Sequence, residues 1–151
     1  MRVAEFLQER QVPFETLLHP PAFTAQKRAR FLHVPGREVA KVVLLHGPGG
    51  YVLAVLAATD RVDTGGVGLA LGGPVRLADD DEIAAVFRDC EWGVVPPFGT
   101  LYGLPVLLDE GIRPDTLMVF ETTTHAEAVR LLCRDFERLE HPRRLALSRR
   151  R

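Results

Sequence analysis

Lysine occurs only at Lys27 and Lys41 in the 151-residue chain, against seventeen arginines. Lys41 opens the run Lys-Val-Val-Leu-Leu-His. A strand there puts Lys41, Val43 and Leu45 on one face and Val42, Leu44 and His46 on the other. An ammonium in that setting has two readings. It snorkels from a sheet edge, which is the commoner arrangement, or it points into a cleft and answers an anion or a carbonyl oxygen. The second candidate is the stretch 90–103, Cys-Glu-Trp-Gly-Val-Val-Pro-Pro-Phe-Gly-Thr-Leu-Tyr-Gly, with three of the thirteen glycines, two of the eleven prolines and the only tryptophan. Pro96-Pro97 exclude a helix interior or a central strand. Gly93 and Gly99 permit backbone angles that other residues avoid. Val94, Val95, Phe98 and Leu101 are apolar, so a rigid loop is expected, packed from below, with its backbone presented outward. A well-packed turn between two core elements explains the same composition.

Other residue types are excluded or explained more simply. The only serine is Ser148, in a basic end, which argues against a Ser-His-Asp hydrolase. Two cysteines, Cys90 and Cys133, form neither a disulfide framework nor a four-ligand zinc site. Cys90 has no histidine near it in sequence and reads as a buried structural thiol. His46-Gly47-Pro48-Gly49-Gly50 lacks the Gly-Lys-Ser/Thr ending of a phosphate loop and reads as a hairpin turn. Asp79-Asp80-Asp81-Glu82 complements a helix N-terminus rather than a metal. His19 and His33, beside prolines, read as surface or capping residues. His125 follows Thr122-Thr123-Thr124 at a junction where a polar side chain can face a cleft. No cofactor and no metal are expected. Net charge is −1, so nucleic acid would need a local patch. No apolar run approaches the roughly 20 residues that span a bilayer. Nothing at the N-terminus resembles a signal peptide. A cytoplasmic protein without membrane or DNA contact is expected.

The elements that must hold these residues follow from periodicity. A short amphipathic helix is expected over 3–11 and a strand over 14–18. Thr24 is the expected N-cap of a helix over 25–32 that turns Lys27, Arg28 and Arg30 outward. Strands 41–46 and 51–56 should form an antiparallel hairpin around a five-residue Gly-rich turn. Residues 60–71 read as a partly buried helix or irregular coil. A strand at 75–77 precedes a helix opened by Asp79 and running to about 87. Further strands are expected at 104–108 and 116–121. Thr124 should cap a helix from 125 to about 133 or beyond. The pattern predicts one α+β domain over 1–140, with a mixed β-sheet and flanking helices, then a basic tail, 141–151, of the kind that is more often disordered.

Three segments in order carry a resemblance: His19-Pro20-Pro21-Ala22-Phe23-Thr24, Ala40-Lys41-Val42-Val43-Leu44, and Gly93-Val94-Val95-Pro96-Pro97-Phe98-Gly99. The chain resembles the YbaK and prolyl-tRNA synthetase-associated editing domains from about residue 3 to residue 136. That resemblance implies a hydrolase that acts in trans on the ester of mischarged aminoacyl-tRNA, often the proline one. It implies catalytic roles for Lys41 and for Gly93 and Pro97 of the Gly-x-x-x-Pro loop. It implies a pocket for the 3′ aminoacyl-adenosine end completed by Thr24, Val94, Val95, Pro96, Phe98, Gly99 and His125. Association with a synthetase is a further expectation. Val42 stands where some alanine-specific members carry asparagine. A non-catalytic module that binds RNA or an aminoacyl nucleotide would keep the pocket without the hydrolysis.

Overall fold

The computed structural model describes residues 2–148. Helix α1 (Arg2–Glu9) buries Val3, Phe6 and Leu7, the i, i+3, i+4 stripe of its sequence. Strand β1 (Glu15–Leu18) leads to α2 (Ala25–Leu32). The Thr24 hydroxyl caps α2 by accepting the Lys27 N–H at 3.0 Å. The helix ends at His33, whose φ of 55° is left-handed. Strands β2 (Ala40–Gly47) and β3 (Gly50–Ala57) form the expected antiparallel hairpin, in register from Ala40↔Ala57 to Gly47↔Gly50. Their connection is two residues, Pro48-Gly49, shorter than the expected turn because pairing runs to its base.

Helix α3 (Thr64–Leu71) forms despite three internal glycines, because Asp63 accepts the Gly66 N–H and Val67 is buried beneath it. Strand β4 (Arg76–Leu77) and α4 (Asp80–Val86) follow. Asp79 and Glu82 make a reciprocal capping box at the start of α4, so the acidic run serves the helix as expected. Then come β5 (Val106–Asp109), β6 (Leu117–Glu121), β7 (Glu127–Leu132), α5 (Cys133–Glu140) and β8 (Arg143–Leu145).

The architecture is α+β with a mixed sheet, as the sequence implies, but the strands divide into two sheets. One is five-stranded, ordered β4-β2-β3-β5-β8, with parallel β3/β5 and β5/β8 pairs. The other is antiparallel and three-stranded, ordered β1-β7-β6. Among the described residues, a single parallel bridge, Val39 to Val119, couples the two. Between them lies a core in which Phe98 touches Phe6, Phe120 and Phe136 at ring-centroid distances of 6.0, 6.1 and 5.8 Å. A second cluster, with Leu45, Val52, Val67, Leu107 and Leu147, covers the other face of the larger sheet.

Two expectations are corrected. The segment expected as a helix from 125 is strand β7 instead. It is the central strand of the small sheet, and two ladders of cross-strand pairing outweigh a weak helical pattern. The Thr124 hydroxyl accepts the Ala126 N–H in a turn rather than capping a helix. The basic end is not a separate tail over its described part. Strand β8 extends the larger sheet, Leu147 is fully buried and Ser148 bridges Val62. The Asp109 carboxylate accepts the Leu147 N–H at 2.9 Å, which anchors that end. Residues 149–151 of the expected tail lie outside the described residues. Among the described residues, no helix is long and apolar enough to cross a membrane.

Candidate functional site

Strand β2 has two kinds of edge. Lys41 and Val43 lie opposite Leu56 and Ala54 of β3, and β4 pairs only Leu45 and His46. The Leu44 carbonyl accepts the Ala78 N–H at 2.9 Å, so Leu44 turns its backbone toward the β4 side. Strand alternation turns the Val42 N–H and C=O to that same side, past the point where β4 stops. At the other end, Val39 is held by its bridge to Val119. An open pocket of about 350 Å³ sits over this gap, at the small end of ligand-site volumes. Lys41, Val42 and Val43 form its floor. The start of α2 supplies Phe23, Thr24, Gln26 and Arg28, the loop after α4 supplies Gly93 and Val95, and the end of β6 supplies Glu121.

Lys41 therefore takes the cleft reading. Its ammonium donates to the Asp60 carbonyl at 3.1 Å, which fixes it and leaves two N–H groups for a ligand. Gly93 has a φ of +86°, a conformation that costs a side-chain-bearing residue energy. This turn brings Gly93 to the pocket rim. Of the loop's amides, that of Val94 donates to the Glu91 carbonyl at 3.1 Å, and that of Val95 faces the Glu121 carboxylate. Pro96 and Pro97 have no N–H. Among the described residues, the Gly93 N–H has no protein partner.

The expected site residues separate into two groups. Lys41, Thr24, Gly93 and Val95 line one pocket. Val94 lines a neighbouring cleft with Cys90 and Trp92. Pro96 and Pro97 are buried beneath the loop. Phe98 is fully buried among three other phenylalanines, so it is a core residue and not a pocket wall. Gly99 packs against the Leu104 carbonyl, which leaves no room for a Cβ there. His125 stands behind the loop. Its Nε2 donates to the Trp92 carbonyl at 2.7 Å, and its backbone N–H donates to Glu91 at 2.7 Å. Its ring lies 4.5 Å from that of the exposed Phe23. The residues behind the loop thus hold it and do not form the pocket wall.

Two charged residues were not expected in the pocket. Arg28, expected to face outward with Lys27 and Arg30, is 2% exposed. The spacing Ala25, Arg28, Ala29, Leu32 carries the signal, since it is the inward stripe of α2. Arg28 Nη2 lies 3.6 Å from Glu121 Oε1, beyond hydrogen-bond length, and the Arg28 Nε is buried without a partner. Burial pushes the Glu121 carboxyl up to about 7, against the opposing fields of Arg28 and His125 and the Val95 N–H. His19, expected at the surface, is also buried, with Nδ1 2.8 Å from the Pro20 carbonyl. Burial, then Arg28, lowers its pKa.

The thiols are not primed for attack. Burial pushes Cys90 up to about 12 and Cys133 up to about 11, so neither is a thiolate at neutral pH. Among the described residues, no group of three His, Cys, Asp or Glu could hold a metal.

The aminoacyl-tRNA editing domain profile matches residues 19–139, which contain every pocket residue described above. The chain belongs to the aminoacyl-tRNA editing domain family. The fold of this editing domain recurs in solved structures. A candidate trans-editing enzyme for prolyl-tRNA synthetase superimposes with a TM-score of 0.84 at 23% identity, over 99% of this chain and 96% of that one. The hypothetical protein APE2540 gives 0.86 at 19% identity, over 99% and 100%. A candidate signal transduction protein from Marinobacter aquaeolei VT8 gives 0.73 at 16% identity, over 98% of this chain and 30% of that one. No curated protein matches significantly.

Proposed function

We propose that this editing domain is a deacylase acting in trans, which hydrolyses the ester of mischarged aminoacyl-tRNA of the proline system. The observation that carries the reading is the convergence of Lys41 and Gly93 on one small pocket, although 52 positions separate them in sequence. Membership of the editing family supports the substrate class. The proline connection rests on the resemblance and on what a structural neighbour is described as.

The chemistry uses few protein groups. Water adds to the ester carbonyl carbon, and the oxyanion that forms meets the Gly93 N–H, the loop amide left without a partner. The ribose oxygen then leaves and takes up a proton, releasing amino acid and free tRNA end. The adjacent ribose hydroxyl positions the water. No serine or thiolate is needed, in keeping with a lone Ser148 outside the pocket and thiols held protonated. The Lys41 ammonium faces the terminal adenosine phosphate or the ester oxygen. Pro97 keeps the loop rigid from beneath, and His125 orients it through the Trp92 carbonyl. The same reading places the protein in the cytoplasm with aminoacyl-tRNA and, during editing, a synthetase as partners.

A deacylation panel of mischarged tRNAs, with correctly charged prolyl-tRNA as control, tests the reading. Lys41→Ala should lower single-turnover deacylation on the order of ten- to a hundredfold, the loss expected for one charge-assisted contact. Its melting temperature should stay near wild type, and Lys41→Arg should rescue in part. Near wild-type turnover by a folded Lys41→Ala protein would remove Lys41 from the mechanism. Binding of aminoacyl-tRNA without turnover would replace the enzyme by a binding module.

A further inference from the structure

The pocket lining contains two cations, Lys41 and Arg28, and one acid, Glu121. That carboxylate is sparsely answered. The Val95 N–H faces it and Arg28 stands 3.6 Å off, yet a carboxylate has about four lone-pair sites. If Glu121 were only the structural counter-ion of Arg28, a close fork would be expected. Such a fork exists elsewhere in this chain, where Arg76 grips Glu82 at 2.7 and 3.0 Å. Glu121 instead keeps acceptor capacity facing a pocket, with Arg28 of α2 on one side and His125 of the β6–β7 loop on another.

An aminoacyl ester of adenosine carries several acceptors, an anionic phosphate and a single cation, its α-ammonium. We propose that Glu121 binds this α-ammonium, so that the pocket takes aminoacyl esters with a free amino group and rejects those whose amine is acylated. This rests on the editing reading above. Arg28 positions the Glu121 carboxylate from behind, and the Lys41 ammonium serves the opposite charge on the substrate. Blocking the amine removes the cation and adds bulk beside a largely buried carboxylate, and both effects oppose binding.

The test compares two probes in calorimetry: 3′-alanylamino-3′-deoxyadenosine with a free amine, and its N-acetyl form. The amide link prevents hydrolysis, and alanine adds little side-chain volume. Wild type should prefer the free amine by about ten- to a hundredfold, and Glu121→Gln should reduce that preference to about threefold or less. Deacylation of proline tRNA mischarged with alanine, and of the same tRNA carrying N-acetylalanine, should show the same preference in KM. If Glu121 were instead a general base, Glu121→Gln would lower kcat equally for both substrates and leave the preference intact, which would overturn the proposal. Equal binding of the two probes by wild type, or binding of neither, would also overturn it, even if Glu121→Gln fails to fold. A preference for the free amine with no turnover of any mischarged tRNA would support amine recognition and refute the deacylase reading.

Discussion

Glu82 and Glu121 are the same residue in opposite situations. Glu82 lies in the first turn of α4 and receives the Arg76 guanidinium at 2.7 and 3.0 Å, the Tyr51 hydroxyl at 2.5 Å and the Asp79 N–H at 3.0 Å. Those donors, led by Arg76, hold its carboxyl well below the usual range. Glu121 lies at the end of β6, where burial outweighs a 3.6 Å ion pair and pushes its carboxyl up to about 7. A carboxylate whose bonds are complete belongs to the scaffold, since a ligand can add little to it. A carboxylate left short of donors in a pocket has capacity for one, and sites are where such shortages persist.

The largest expected difference between the two is in stability. Arg28→Met should cost about 2–3 kcal/mol at pH 8, because the largely buried Glu121 carboxylate loses the one ion-pair partner it has among the described residues and must take up a proton, while the packing of the buried arginine stem is lost too. The cost should shrink at pH 6, where Glu121 can sit protonated. Arg76→Met should leave the urea midpoint nearly unchanged, as exposed pairs do. Equal costs for the two substitutions would break the comparison.

The next difference is one of sign with pH. The Glu121 carboxyl is raised from an ordinary 4.5 to about 7 in the folded protein. Its contribution is therefore complete below about 4.5, falls as the pH rises to about 7, and stays low above that. The advantage of wild type over Glu121→Gln should shrink by roughly 2–3 kcal/mol between pH 5 and pH 8. Glu82 is lowered, so its contribution is present above about 4.5 and is lost on acidification. Glu82→Gln should show the reverse trend in the same urea titrations.

A smaller effect probes the loop between the two regions. A Cβ on Gly93 would meet only His125 Cε1, at 3.9 Å, so the cost of Gly93→Ala is the backbone conformation alone, about 1–2 kcal/mol. Its midpoint should fall accordingly. If the loop shifts to relieve the strain, deacylation should fall with it.

The hairpin that carries Lys41 was legible because β-branched residues flank a Gly-rich turn, and period-two alternation correctly assigned both of its faces. The meeting of Lys41 with Gly93 was not legible from spacing, since it depends on how two distant segments pack. It came from resemblance. Arg28 was obscured by its basic neighbours Lys27 and Arg30, although its helical phase with Ala25 and Leu32 was available. Glu121 follows Met118-Val119-Phe120 and looked like the polar end of a strand. Nothing local says that α2 and the 93–97 loop close over it. The error at β7 has a different origin. Glu-Ala-Val-Arg-Leu-Leu suits either period, and only β1 and β6 on its two sides decide the matter. Phe98 and Gly99 were credited to the pocket by the resemblance, as part of the matched segment 93–99, and their packing assigns them to the core.

The unpaired stretch of β2 also bears on association between chains. A free strand edge normally invites another strand, and proteins blunt such edges with charge, brevity or cover. Here the gap lies between the Val39 bridge to the small sheet and the β4 pairing at Leu45 and His46. A lysine stands on it, and α2 and the Gly93 loop flank it. An incoming strand would find room for about one residue's hydrogen bonds before meeting one of those partners, too little to template an aggregate. The Val42 N–H and C=O can therefore stay open to a small ligand without exposing a sticky edge. Because they belong to the backbone, any residue but proline at that position would present the same donor and acceptor.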